Sequence, residues 1–199
     1  MIRLHPGAIP LYRPPDIRPL PPMIPQICVP CPQSSYAKFR RFTISAKGVN
    51  RAWDAGLVVV VAAGNNGPRT MSITTPGISR KVITVGCSDD DREVLVGGNR
   101  MVDYSGRGPT AACICKPDLV APGCSVVSCS SRADKYTIKS GTSMSTPIVS
   151  GAVALLLERF PDMTNKDVKL RLRESSVDIG LPRNQQGWGL LDVGKMIGK

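Results

Sequence analysis

From Gly48 onward the chain alternates short apolar runs, turn residues and helix-like blocks. Residues 49–55 predict a short helix that stops at Gly56, and residues 57–63 form a continuous apolar run. Such a run is the pattern of a strand covered on both faces, as in parallel sheets. Residues 82–86 are a second strand of that kind. Asp89 to Asp91 then predict a solvated turn, and residues 93–96 with 100–103 a hairpin around Gly97-Gly98-Asn99. Residues 118–121 and 125–129 read as short strands flanking Pro122-Gly123, and 136–139 as a strand leading into Gly141. The apolar block 143–160 predicts a buried helix. Thr164 is the N-cap of a further helix over 165–174, and 191–197 predict a last short one. Strands alternating with helices imply an α/β fold, a three-layer sandwich around a mostly parallel sheet.

Between the last strand and the buried helix lies Gly141-Thr142-Ser143-Met144-Ser145-Thr146-Pro147. A hydroxyl here sits at a helix N-terminus, where the first backbone N–H groups lack intrahelical partners and the dipole favours negative charge. Pro147 fits a first helical turn, where its missing N–H costs little. A bare Gly-Thr-Ser run is also what an ordinary N-cap looks like.

The whole heptapeptide, followed by an apolar Ala/Gly-rich helix, resembles the nucleophile motif of the subtilisin-like serine proteases. Three further segments match in order: VVVVAAGNNGP at 58–68, YSGRGPT at 104–110 and KPDLVAPG at 116–123. The resemblance implies a subtilisin-like fold, incomplete on its N-terminal side, with a polypeptide as substrate. It makes Ser143 the nucleophile and Asn65 the oxyanion-hole amide, Asn66 being the neighbouring candidate that the AAGN pattern does not select. Ala62, Ala63 and Gly64 would line one wall of the pocket for the substrate side chain before the scissile bond.

The family also carries an aspartate in a D-[ST]-G strand end and a histidine in an HGTHVAG-like helix, and neither motif occurs here. His5, the one histidine, is followed directly by Pro6 and lies outside any such context, and Asp16 is not followed by Ser/Thr-Gly. Neither is assigned to a triad. A serine hydroxyl needs an adjacent base, so the sequence predicts a truncated protease, inactive alone; the alternative is a non-catalytic remnant that binds peptide. A generic esterase fits less well, because the motif lacks the second glycine of a GxSxG elbow.

Composition separates the first 47 residues from the rest. They hold ten of the eighteen prolines and seven of the 26 Lys/Arg, with Asp16 the single acid. More than half of the net charge of +11 therefore comes from under a quarter of the length. A proline-rich basic segment without apolar period cannot bury enough surface to offset its ordering entropy, so residues 1–47 predict disorder or a stretch foreign to the family. Residues 48–199 are the family-like part. Aromatic residues make up only 5% of the chain, and no nucleic-acid-binding module or membrane-length apolar run is present, so neither partner is expected. Seven cysteines without scaffold spacing suit reduced thiols, hence a cytoplasmic location. Cys28–Cys31 and Cys113–Cys115 lack the partners of a zinc set. The resemblance allows calcium, but no loop has an alternating ligand pattern, so no metal or other cofactor site is assigned.

Overall fold

The computed structural model describes residues 44–130 and 135–198. The chain divides into two units, Met1–Pro30 and Cys31–Lys199. The first unit lies outside the described residues, as do His5, Asp16, Cys28 and Cys31. Most of the stretch expected to be disordered lies there too.

Three strands make the central sheet: β1 (Val60–Ala62), β2 (Ile83–Cys87) and β5 (Leu119–Ala121), all parallel, in the order β1-β2-β5. Two hairpins stand outside it, β3 (Val94–Val96) with β4 (Asn99–Met101) and β6 (Val126–Cys129) with β7 (Tyr136–Lys139). The helices are α1 (Ile44–Asp54), α2 (Thr142–Arg159), α3 (Asn165–Ser175), α4 (Arg183–Gln186) and α5 (Val193–Ile197). The α/β order and the parallel sheet are those the apolar runs predict.

Successive residues of a strand face opposite sides, which explains how the core is divided. Ile83 and Val85 of β2, with Leu119 and Ala121 of β5, pack with Val149, Ala152, Val153 and Leu156 of α2, Val168 and Leu172 of α3, Met196 of α5 and Trp53 of α1. Thr84, Gly86 and Val120 face the other way. There the Thr84 hydroxyl donates to the Gly77 carbonyl at 2.7 Å, and a Cβ on Gly86 would meet Pro117, Ser105 and Val120 at 3.0–3.1 Å. That side is covered by loops among the described residues. The far edge, β5, is bridged in parallel fashion by Leu190.

Several boundaries move. The first helix starts at Ile44 and ends at Asp54, and the long apolar run narrows to the three residues of β1. The β3–β4 turn contracts to Gly97-Gly98, both at positive φ (58° and 91°), the geometry of the tight hairpin turn that glycine favours. α3 is capped as predicted: the Thr164 side chain accepts from the Asp167 N–H, and the Asp167 carboxylate accepts from the Thr164 N–H at 2.9 Å, a reciprocal capping box.

The larger correction concerns Asp89 to Asp91. Asp90 is buried, and its carboxylate accepts the Ser105 N–H at 2.7 Å. Asp89 accepts from the Gly123 and Cys124 amides at 2.8 and 3.1 Å and from the Cys87 thiol at 3.1 Å. Only Asp91 is exposed. These acids satisfy loop N–H groups that would otherwise be orphaned, a role that needs partners far along the chain.

Burial pushes the Cys87 thiol up to about 12 from 9.0, partly offset by its hydrogen bond to Tyr104. The Tyr104 hydroxyl is itself raised, first by burial and then by that same contact. Between about pH 9 and 12 the folded chain thus keeps a proton that the unfolded chain releases. The stability this group contributes is complete below pH 9 and falls as pH rises. The urea midpoint of the wild type is expected to drop more steeply from pH 9 to 10 than that of Cys87→Ala; parallel pH profiles would refute it.

Candidate active site

Ser143 is exposed at the second position of α2. Gly141 precedes the helix with φ 141° and ψ 161°, a conformation that suits glycine. Its N–H donates to the Gly123 carbonyl at 2.9 Å, and its carbonyl accepts from the Met144 N–H at 2.8 Å. The serine turn is thereby tied to the loop after β5. Among the described residues the Ser143 N–H makes no hydrogen bond, as expected for a first-turn donor.

Asn65, three residues beyond β1, is brought onto this turn from 77 residues away. Its Oδ1 accepts from the Thr142 N–H and from the Thr142 hydroxyl, each at 3.0 Å. A backbone N–H can only donate, so the atom facing it must be the amide oxygen, which fixes the orientation of the side chain. Nδ2 then lies beside Gly141, 3.2 Å from where a Cβ on that glycine would be. It makes no hydrogen bond among the described residues. Asn66 is exposed and does not join the turn.

Thr142 is the residue that the sequence reading missed. It is fully buried, and its hydroxyl also accepts the Gly64 N–H at 3.2 Å. One side chain therefore clamps the end of β1 to the start of α2. The threonine was visible in the motif, but nothing local says that its partner is the AAGN turn. Gly64 sits at φ 95°, and a Cβ there would collide with Thr74. Ala62 and Gly64 are half-buried, whereas Ala63 is enclosed, its carbonyl accepting the Thr74 N–H at 2.9 Å. Any pocket wall from this stretch is formed by Ala62 and Gly64 and by the backbone.

One turn into α2, Ser145 is buried with its Oγ unpartnered, packed against Gly123. A buried hydroxyl without a hydrogen bond carries its desolvation cost uncompensated. Ser145→Ala is expected to stabilise the fold by about 1 kcal/mol. A lower denaturation midpoint would contradict this.

A second buried network lies at the N-terminal ends of β2 and β5. Lys116, only 1% exposed, donates to the Asp118 carboxylate at 2.5 Å and to the Val82 carbonyl at 3.0 Å. Asp118 also accepts the Thr84 N–H at 2.7 Å, and Lys169 of α3 stands 3.5 Å from its other oxygen. Burial pushes the Lys116 ammonium down to about 8, against the pull of Asp118. Burial likewise lowers Lys169, again opposed by Asp118. This network is structural: it pins β2, β5 and α3 together.

No group of three or more His, Cys, Asp or Glu residues that could hold a metal occurs among the described residues. No helix there is long and apolar enough to cross a membrane. No histidine or carboxylate among the described residues hydrogen-bonds to Ser143.

The turn that holds an exposed serine at a helix N-terminus, with an asparagine amide locked beside it, lies within a stretch that matches a known family. The subtilase family model covers residues 30–189. The chain belongs to the subtilase family. It is 42% identical over 143 residues to the serine protease AprX of Bacillus subtilis, covering 65% of this chain and 32% of AprX. Against subtilisin DY of Bacillus licheniformis it is 33% identical over 153 residues, covering 76% of this chain and 50% of that protein. Among solved structures, the prenylagaramide maturation protease PagA shares the fold with a TM-score of 0.60 at 24% identity, over 76% of this chain and 53% of PagA. This subtilase chain thus spans between about a third and a half of the length of these two relatives.

Proposed function

We propose that this chain is the serine-bearing part of a subtilisin-like serine endopeptidase, with Ser143 as nucleophile and Asn65 as oxyanion donor. The observation that carries the reading is the locked Asn65 amide, whose oxygen is held by Thr142 and whose Nδ2 is left unpaired beside the serine turn. In the proposed step the Ser143 Oγ attacks the carbonyl carbon of a polypeptide substrate while a base takes its proton. The carbonyl oxygen becomes an oxyanion between Nδ2 of Asn65 and the N–H of Ser143. Collapse expels the amine, which takes the proton back, and water then hydrolyses the acyl-serine by the same route.

The base is the part that the described residues do not provide. In subtilisin, loss of the triad histidine lowers kcat by about a millionfold. The chain alone is therefore expected to be inert toward peptides. A serine-directed phosphonate should label it only when it is mixed with the part of the AprX catalytic domain that precedes the shared region, and Ser143→Ala should abolish the labelling. A complex that forms without labelling would overturn the protease reading in favour of a non-catalytic peptide-binding remnant.

A further inference from the structure

The hairpin of β6 and β7 stands apart from the packed body of the chain, and none of its side chains joins either buried cluster. Its register sets Val127 opposite Ile138 and Cys129 opposite Tyr136. Residues two apart on a strand share a face, and directly opposed residues hold their Cβ atoms about 5 Å apart, so these four side chains form one continuous patch. The patch is bare. Val127 is 62%, Ile138 66% and Tyr136 75% exposed, and Cys129 is exposed as well. The other face pairs Val126 with Lys139 and Ser128 with Thr137. Lys135 continues that face, because the Ser130 N–H donates to its carbonyl at 2.9 Å and so extends the pairing by one step.

Single exposed apolar residues are ordinary on a protein surface, whereas a continuous apolar face marks a contact surface. Here the charge lies on the opposite face. Residues 126–139 contain Arg132, Lys135 and Lys139 against Asp134, and the whole chain carries +11. An element with one apolar and one basic face suits the boundary between water and an anionic bilayer. Its apolar side chains enter the edge of the acyl region, a tyrosine settles at headgroup level, and lysines reach out to the phosphates.

We propose that the β6–β7 hairpin seats this chain on the surface of an anionic lipid bilayer, with Val127, Ile138 and Tyr136 inserted and Lys135 and Lys139 at the headgroups. The hairpin lies on the membrane without crossing it, since strands of four residues fall far short of the about 9–11 that a crossing strand needs. A second copy of the chain suits the patch less well. A stable protein interface takes about 20–30 residues a side, and copies that each carry +11 repel one another. A few apolar side chains combined with positive charge are, by contrast, the two signals that reversible membrane binding uses. The root of the hairpin is the serine turn: the Ser125 N–H donates to the Ser140 hydroxyl and the Gly141 N–H to the Gly123 carbonyl, each at 2.9 Å. Seating the hairpin therefore holds Ser143 beside the membrane surface, whether or not that serine is catalytic.

The full chain is sedimented with vesicles of phosphatidylcholine alone and of phosphatidylcholine mixed with phosphatidylserine. Binding to the mixed vesicles is expected, weakening as salt is raised. Ile138→Glu and, independently, Tyr136→Glu should each lower the affinity at least about tenfold, and so should the double variant Lys135→Glu/Lys139→Glu. Leu95→Glu, which replaces a bare leucine on the separate β3–β4 hairpin, should leave it unchanged. In Ile138→Trp the fluorescence should shift to the blue on the mixed vesicles and be quenched by lipids brominated near the headgroup end of their acyl chains. Several results would overturn the proposal: no binding by a chain that circular dichroism shows to be folded, equal binding to phosphatidylcholine alone, an equal loss with Leu95→Glu, or Ile138→Trp emission that vesicles leave unmoved. Self-association abolished by Ile138→Glu would also overturn it, by making the apolar face a dimer interface.

Discussion

Asp118→Ala is expected to cost about 3–5 kcal/mol of folding stability, because it leaves a buried ammonium without its counter-ion. Lys116 would keep only the Val82 carbonyl, and the Thr84 N–H would lose its acceptor. Lys169 would lose the carboxylate it approaches, though its hydrogen bonds to the carbonyls of Arg80, Lys81 and Val82 remain. A domain holds only about 5–15 kcal/mol in total, so a loss of this size removes a large share of it and lowers the denaturation midpoint strongly. Urea denaturation followed by circular dichroism reads it directly. The cost belongs to the unpaired charge and not to the ion pair itself. The double variant Lys116→Met/Asp118→Leu should therefore recover much of what the single variant loses. A double variant no better than the single one would show that the Thr84 and Lys169 contacts to Asp118 dominate.

Asn65→Leu should lower kcat by about 10²- to 10³-fold in the assembled enzyme with little change in KM, the size found for the corresponding amide in subtilisin itself. In the proposed role Nδ2 meets charge that exists only as the oxyanion forms, so its removal is expected to leave substrate binding nearly intact. Asn65→Asp sharpens the test. It preserves an oxygen for the Thr142 N–H and hydroxyl, and so the clamp. The donor, however, becomes a carboxylate oxygen facing the developing negative charge. Its stability should stay near that of the wild type while its rate falls at least as far as that of Asn65→Leu. A loss confined to KM in either variant, read from peptide hydrolysis, would remove Asn65 from the oxyanion role.

These two sites differ in how far they could be read from the chain. The serine turn is a local object: a glycine, a hydroxyl and a proline at the start of an apolar block have one favourable arrangement, and the helix starts at Thr142 as that arrangement requires. The AAGN turn after β1 is equally local. What joins them is the Thr142 hydroxyl, bonded to a backbone amide and a side chain 77 or 78 residues away. No periodicity reports such a contact. KPDLVAPG likewise announces a turn and a short strand, but not that its lysine and aspartate are buried against each other beneath α3. Asp89 and Asp90 looked like solvent-facing acids because three consecutive carboxylates are costly to bury. The fold buries Asp90 and half-buries Asp89, with the amides of Ser105, Gly123 and Cys124 donating to their carboxylates.

By itself, the sequence determined the order of the strands and of every helix but the short α4, the parallel character of the sheet and the family, because these follow from short-range patterning and from motifs a few residues long. Tertiary structure alone decided which polar groups meet: the Asn65 amide against Thr142, Asp118 between two lysines, Asp89 beneath Gly123. It also decided which side of α2 is left bare. From Thr142 to Leu157 the helix carries no charge on any side, so its composition could not say which side the sheet would take. Only the docking of Val149, Ala152, Val153 and Leu156 onto β1, β2 and β5 leaves Gly151 and Leu155 facing outward.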